Sequence, residues 1–253
     1  WFGASNAAVI LTREQYMKGF YTKREAGYIM TNFSIVSIPF CLLIANTLGI
    51  ANVFPAFYLC ICLVGVVLAV LLARVPPLSR LPETYQEQAG CQINEEVPQE
   101  KKLLPYALEI SCRRAETFRL KDVLSGGLEV VIGMFFDLIP IVAAWGTLVL
   151  IIATYTPLFD WVSYPMGLYL QALGLEEAFA AAPATLIGFT DMFIPALLIG
   201  GLTSVKTRFV VGVLSLVQII YLPEVGAIII KSEIPLNLWK LFLIFMERTL
   251  IAI

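Results

Sequence analysis

Apolar residues in this chain run in long stretches rather than in narrow stripes. The cleanest stretch covers residues 53–73 and contains no charge. At about 1.5 Å rise per residue it can cross a hydrocarbon core of about 30 Å as one helix. Residues 128–155 also reach spanning length, with Asp137 and Pro140 inside, and residues 236–253 carry Lys240, Glu247 and Arg248 toward their ends. Two other stretches are apolar but interrupted. Residues 27–49 are broken by Thr31, Asn32, Ser34, Ser37 and Pro39, and residues 209–230 by Gln218, Pro223, Glu224 and Gly226. Residues 178–202 hold Gly188-Phe189-Thr190-Asp191 near their centre, while residues 1–11 form a short apolar arm with Gly3-Ala4-Ser5-Asn6 at its start. Residues 157–175, with Trp161, Tyr164 and Tyr169, suit a helix at a membrane interface.

The interruptions recur in register. Both four-residue motifs read glycine, any residue, hydroxyl, then Asn or Asp. Arg24 precedes Pro39 by 15 residues and Arg208 precedes Pro223 by 15, and an apolar segment follows each proline. The chain therefore reads as two copies of one unit, offset by 184 to 185 residues. Each copy comprises a hairpin arm, a broken helix and a plain helix, which is the pattern of a transporter-like membrane fold. The first copy spans residues 1–73 and the second 178–253. The chain opens at Trp1 inside what reads as a hairpin, so part of the first unit is expected to precede it.

The material between the copies differs. Residues 74–127 open with a segment, 74–122, that carries eight basic and eight acidic residues, against 17 and 19 in the whole chain. Its first part is rich in Pro, Gln and Glu and reads as an exposed loop. Residues 101–123 place Leu104, Leu108, Cys112 and Ala115 among charges, which predicts a helix lying on the membrane surface or against another subunit. Residues 128–177 then supply a connecting transmembrane helix and the interfacial helix.

Composition supports this reading: 59% of residues are hydrophobic and 14% charged, where a soluble domain carries about 25% charged residues. The net charge of −2, with no basic stripe, gives no footprint for nucleic acid. The chain has no histidine, which excludes His-based triads, proton relays and the usual zinc and haem sites. Cys41, Cys60, Cys62, Cys91 and Cys112 form no CxxC pair and read first as small apolar side chains in packed helices, with a soft-metal path or a reactive thiol as the alternative. No nucleophile–base pair is visible, so no enzyme activity and no cofactor are expected.

Candidate chemistry sits at the interruptions. At Gly3, Ser5 and Asn6, and at Gly188, Thr190 and Asp191, glycine permits a tight turn, and the polar side chains can cap the N-terminus of the second arm. Such a tip can simply close itself, or two tips can meet at mid-depth and bind a solute with their helix N-termini. Asn32, Ser34 and Ser37, with Gln218 in the second copy, place donors and acceptors inside membrane helices. They serve either interhelical packing or binding. Of the ionisable residues Glu129, Asp137, Asp191, Glu224 and Glu233, Asp191 and Asp137 are the candidates for ion coupling, since intramembrane charges are functional candidates by default. Lys206 and Arg208 read as interfacial anchors.

The stretches 19–26, Gly-Phe-Tyr-Thr-Lys-Arg-Glu-Ala, and 31–38, Thr-Asn-Phe-Ser-Ile-Val-Ser-Ile, resemble the YjiH-like group of nucleoside-recognition, or gate, domain membrane proteins. So do 74–80, Arg-Val-Pro-Pro-Leu-Ser-Arg, and 188–195, Gly-Phe-Thr-Asp-Met-Phe-Ile-Pro. More remotely, the two tips and Asn32-Phe33-Ser34 are similar to concentrative nucleoside transporters, although Asn6 and Asp191 stand where those proteins carry glutamate. The resemblance implies an all-α polytopic protein of a bacterial inner membrane, with two inverted repeats and a small polar, nucleoside-like solute held at the midplane. Arg24 and the charged loop would face the cytoplasm, leaving Lys206 and Arg208 outside against the positive-inside trend. A parallel arrangement obeys that trend better. It would, however, leave the 188–191 motif unpaired at mid-depth, where a re-entrant hairpin buries it in protein. Two other functions compete: a non-transporting gate-domain subunit that assembles with a partner membrane protein or with itself, and a metal-ion permease using Cys41 and Asp191.

Overall fold

A computed structural model describes residues 5–32, 36–86, 103–117, 120–133, 135–136 and 139–253. Among these residues every regular element is helical. In chain order they are α1 (Ser5–Met17), α2 (Lys23–Asn32), α3 (Ile38–Thr47), α4 (Phe54–Leu72), α5 (Leu103–Thr117), α6 (Leu120–Gly133), α7 (Ile139–Tyr155), α8 (Leu158–Ala172), α9 (Ala178–Ile187), α10 (Ile194–Ile199), α11 (Val205–Val217), α12 (Ala227–Ile230) and α13 (Leu238–Ala252). One wide π turn, Leu222–Gly226, precedes α12.

The interrupted stretches are interrupted in the fold. Residues 27–49 contain the end of α2 and all of α3, with Pro39 in the first turn of α3, where its missing N–H costs nothing. Residues 209–230 contain most of α11, a non-helical segment at 218–221, the π turn with Pro223 at its start, and α12. Residues 178–202 form the α9–α10 hairpin rather than one helix. Residues 128–155 contain the end of α6, which reaches Gly133, and α7, which begins at Ile139 with Pro140 in its first turn. Proline suits a helix start better than a helix interior, which fits that position.

Among the described residues two stretches, Ala51–Leu72 and Val205–Ile230, are long and apolar enough to cross a membrane. Helix α4 buries Phe57, Ile61, Leu68 and Leu72 and leaves Leu59, Leu63, Val66, Val67 and Val70 exposed. The exposed set recurs at helical spacing, so one face packs inward while an equally apolar face points out. Leu59 and Leu63 are 60% and 59% exposed. On α5 the stripe of Leu104, Leu108 and Cys112 is exposed too.

Contacts at its two ends set the direction of each helix. At one end Thr207 Oγ1 donates to Glu176 O (2.7 Å), Lys206 Nζ to Gly174 O (3.0 Å) and Arg208 Nη1 to Leu48 O (2.5 Å). The starts of α4, α9 and α11 and the ends of α3 and α10 gather there. At the other end Lys23 N donates to Thr84 O (2.9 Å), Tyr16 Oη to Gln86 Oε1 (3.0 Å) and Gln86 Nε2 to Glu233. Tyr28 Oη donates to Ala69 O, and Arg24 pairs with Glu83. The ends of α1, α4 and α12 and the starts of α2 and α13 gather there. The path α2–α3 thus runs opposite to α11–α12, and α4 opposite to α13. Lys206 and Arg208, expected as anchors, donate to the carbonyls of Gly174 and Leu48.

Glu177 fixes the first end. It sits at φ 52° and accepts a 2.9 Å hydrogen bond from Ser204 N. That main-chain donor, aided by Thr203 and Arg208, holds its carboxyl below the ordinary carboxylate range. A depressed folded-state pKa contributes stability above the unfolded value, and the contribution disappears as pH falls through the folded one. Melting of wild type and Glu177→Gln should therefore differ at neutral pH and converge as the solution is acidified below the carboxylate range. A difference that is constant with pH would show that the ionised carboxylate contributes nothing.

Candidate functional site

The second tip is built from its own polar groups. Helix α9 ends at Ile187, and Thr190 closes it, its N–H donating to Ile187 O at 2.8 Å and its Oγ1 at 2.7 Å. Asp191 Oδ1 accepts from Phe193 N (2.6 Å) and Ile194 N (3.1 Å), capping the start of α10. The hydroxyl and the carboxylate were both expected to serve the second arm. They are divided, one to each arm: the hydroxyl joins the Thr190 N–H at Ile187 O, and the carboxylate serves α10. Capping by Asp191 needs an acceptor, not a charge. Asp191→Ala is expected to lower stability by about 1 kcal/mol, while Asp191→Asn retains most of it, as thermal melting of both variants can show. An Asn variant that falls as far as the Ala variant would mean that the charge itself is required.

Gln218 begins the break in α11 and reaches the tip. Its Nε2 donates to Thr185 O (2.9 Å) and to Thr249 Oγ1 (2.7 Å). Its Oε1 is buried without a hydrogen-bond partner among the described residues and lies over Gly188, where an added Cβ would stand 2.0 Å from it. The next residue, Ile219, has φ 44°, and Ile220 N donates to Gln218 O at 2.6 Å, a three-residue turn. A β-branched residue in this left-handed region costs on the order of 1–3 kcal/mol, strain that clusters at functional sites. Leu222 N then donates to Phe189 O at 2.8 Å, fastening the π turn to the tip. Phe189 also packs on Phe245 and Phe242 of α13, at centroid distances of 5.0 and 5.4 Å.

Arg248 joins this half to the other. It is 1% exposed and lies in the second half of α13. Its Nη1 donates to Thr31 O and to Asn32 Oδ1, both at 2.6 Å. Its Nε and Nη2 donate to Val217 O at 3.0 and 2.6 Å. One guanidinium therefore holds the last turn of α2 and the last residue of α11. Asn32 in turn donates through Nδ2 to Thr31 Oγ1 (2.9 Å) and Tyr28 O (3.3 Å). The hydroxyl of Tyr221, 2% exposed, has no hydrogen-bond partner among the described residues.

The structure thus brings Gly188, Thr190, Asp191 and Gln218 to one place and joins Asn32 to it through Arg248. Ser37 precedes α3 without capping it through its side chain. Ser5 and Asn6 are the first residues of α1. Gly3, Ser34 and Asp137 lie outside the described residues. Cys41 is buried with its Sγ 3.6 Å from Val36 O, and among the described residues no group of three His, Cys, Asp or Glu side chains could hold a metal ion. Sequence reasoning missed Arg248, Thr249, Thr185 and Tyr221. The available signal was an arginine among apolar residues at 241–253, which the default for intramembrane charge covers.

No protein-family model matches the chain, and no solved structure matches it. An uncharacterized protein of Alkalihalophilus pseudofirmus is 44% identical over 254 residues, a match that covers all of this chain and 55% of that relative. The chain spans about half the length of the curated relative it matches.

Proposed function

We propose that this chain is a multi-pass membrane protein of a bacterial inner membrane and forms the substrate-binding core of a transporter for a small polar, nucleoside-like solute. The exposed apolar face of α4 supports the membrane setting, because such a face costs free energy in water and none in lipid. The order α1, α2–α3, α4 matches α10, α11–α12, α13, and opposite running directions support two inverted repeats. In this reading the bilayer is the solvent of the outer face, and the α9–α10 hairpin is re-entrant.

One observation carries the proposal. The ends of two broken helices and a hairpin tip converge on buried polar side chains, Asn32, Gln218 and Arg248, and two buried polar atoms there, Gln218 Oε1 and Tyr221 Oη, have no hydrogen-bond partner among the described residues. Buried polar groups are normally paired, so an unpaired pair at a junction of broken helices is what a polar solute would complete. Purified protein in liposomes should accumulate radiolabelled nucleosides, and Gln218→Ala should abolish accumulation while the protein still assembles. No uptake of any nucleoside or nucleobase would overturn the transporter reading.

The exposed stripe of Leu104 and Leu108 on α5, continued by Leu124 and Leu128 on α6, favours a second reading, a subunit that covers these helices with a partner membrane protein. Tight co-purification of such a protein, together with no uptake, would select it.

A further inference from the structure

The centre of the molecule holds a full positive charge and, among the described residues, no carboxylate forms an ion pair with it. A buried charge of this kind requires compensation. It is found in main-chain dipoles. Thr31 O and Val217 O are carbonyls of the terminal turns of α2 and α11, where each helix carries about half a negative charge. Two such termini supply about one negative charge, opposite one guanidinium. α11 stops at Val217, so the Val217 carbonyl lacks the N–H of a continuing turn and is free to accept from a cation. Asn32 adds a side-chain oxygen 2.6 Å from Nη1.

We propose that Arg248 is a tethered cation: its guanidinium fills a cation site built from Thr31 O, Asn32 Oδ1 and Val217 O at the ends of the two broken helices, and the same site takes a free guanidinium-type cation when the side chain is removed. In secondary transporters, broken helices present their C-terminal carbonyls to bound cations. Here a covalently attached charge occupies that position, reached from α13. A point charge cannot replace it fully, since the planar fork addresses three acceptors at once. The site therefore holds α2, α11 and α13 together without a mobile ion, and its geometry selects planar cations over spherical or bulky ones. The proposal rests on the broken-helix reading of the core, and its test reads melting rather than uptake.

The experiment is thermal melting of purified protein in detergent with Arg248→Ala, Arg248→Lys and Arg248→Gln. Guanidinium or methylguanidinium at low millimolar concentration should raise the melting midpoint of Arg248→Ala saturably, while tetramethylammonium and urea at equal concentration should not. The wild type, whose site is full, should show no saturable rise. If the Ala variant rises equally with urea, or does not rise at all, the site is not a cation site. Should Arg248→Ala fail to yield folded protein, the other two variants decide. Lysine keeps the charge and glutamine does not, so Arg248→Lys should melt above Arg248→Gln. The reverse order would overturn the proposal. Rescue of Arg248→Ala in a protein that transports nothing would leave this inference standing and remove only the transporter reading.

Discussion

Replacing Arg248 by leucine is expected to cost about 3–5 kcal/mol of folding stability, the largest loss from any single side chain in the core. Three buried acceptors lose their donor together: Thr31 O, Asn32 Oδ1 and Val217 O. An orphaned buried acceptor costs about 1–3 kcal/mol. Leucine also removes the desolvation cost of the guanidinium, which brings the sum toward the lower end. Arg208 provides the internal comparison. Its Nη1 donates to a single carbonyl, that of Leu48, from a half-buried position near the end of the bundle. Arg208→Leu should therefore cost only about 1–2 kcal/mol, since it deprives one buried acceptor of its donor instead of three. Unfolding titrations of both variants in mixed micelles would show the difference. Equal losses would mean that the centre relaxes as readily as the end, and that the two broken helices are not held by Arg248.

Much of the architecture is legible along the chain because local chemistry decides it. The run of apolar residues at 53–73 has no competing local structure, so α4 forms over nearly that length. Pro39 and Pro223 cannot donate to a preceding turn, and both stand at helix or π-turn starts. Gly188 and Asp191 mark the tip for the same reason: one tolerates close approach and the other caps. What sequence alone hides is long-range pairing. Arg248 meets Thr31 across 217 positions, and nothing in the local pattern of α13 says which groups it will face. The sequence pattern says only that it lies toward one end of an apolar stretch. Burial places it at the centre of the fold, where its guanidinium meets the last turns of α2 and α11. The division of labour at the tip was hidden as well. Whether Thr190 serves α9 or α10 depends on a turn geometry that the motif permits in both forms.

Gly188→Ala is expected to destabilise the protein by about 1–3 kcal/mol, and Gln218→Ala should cancel most of that loss. The backbone offers no objection to alanine, since Gly188 has φ −52° in the helical region. The objection is steric: the new Cβ would lie 2.0 Å from Gln218 Oε1 and 3.1 Å from Cδ. An unrestrained glutamine would swing away at little cost. Gln218 is restrained, because its Nε2 is bound to Thr185 O and to Thr249 Oγ1, and withdrawing it breaks both bonds. Its neighbour Ile219 is already in a strained left-handed conformation, so the main chain has little room to shift. Gln218→Ala alone loses the two hydrogen bonds and leaves Thr185 O buried without its side-chain donor. In that background the alanine methyl at 188 meets empty space. The double variant should thus be more stable than the sum of the single losses predicts, with a coupling of about 1–2 kcal/mol in a double-mutant cycle. Strict additivity would mean that the tip and the break in α11 do not touch in solution, and the convergence on which solute binding depends would be lost with it.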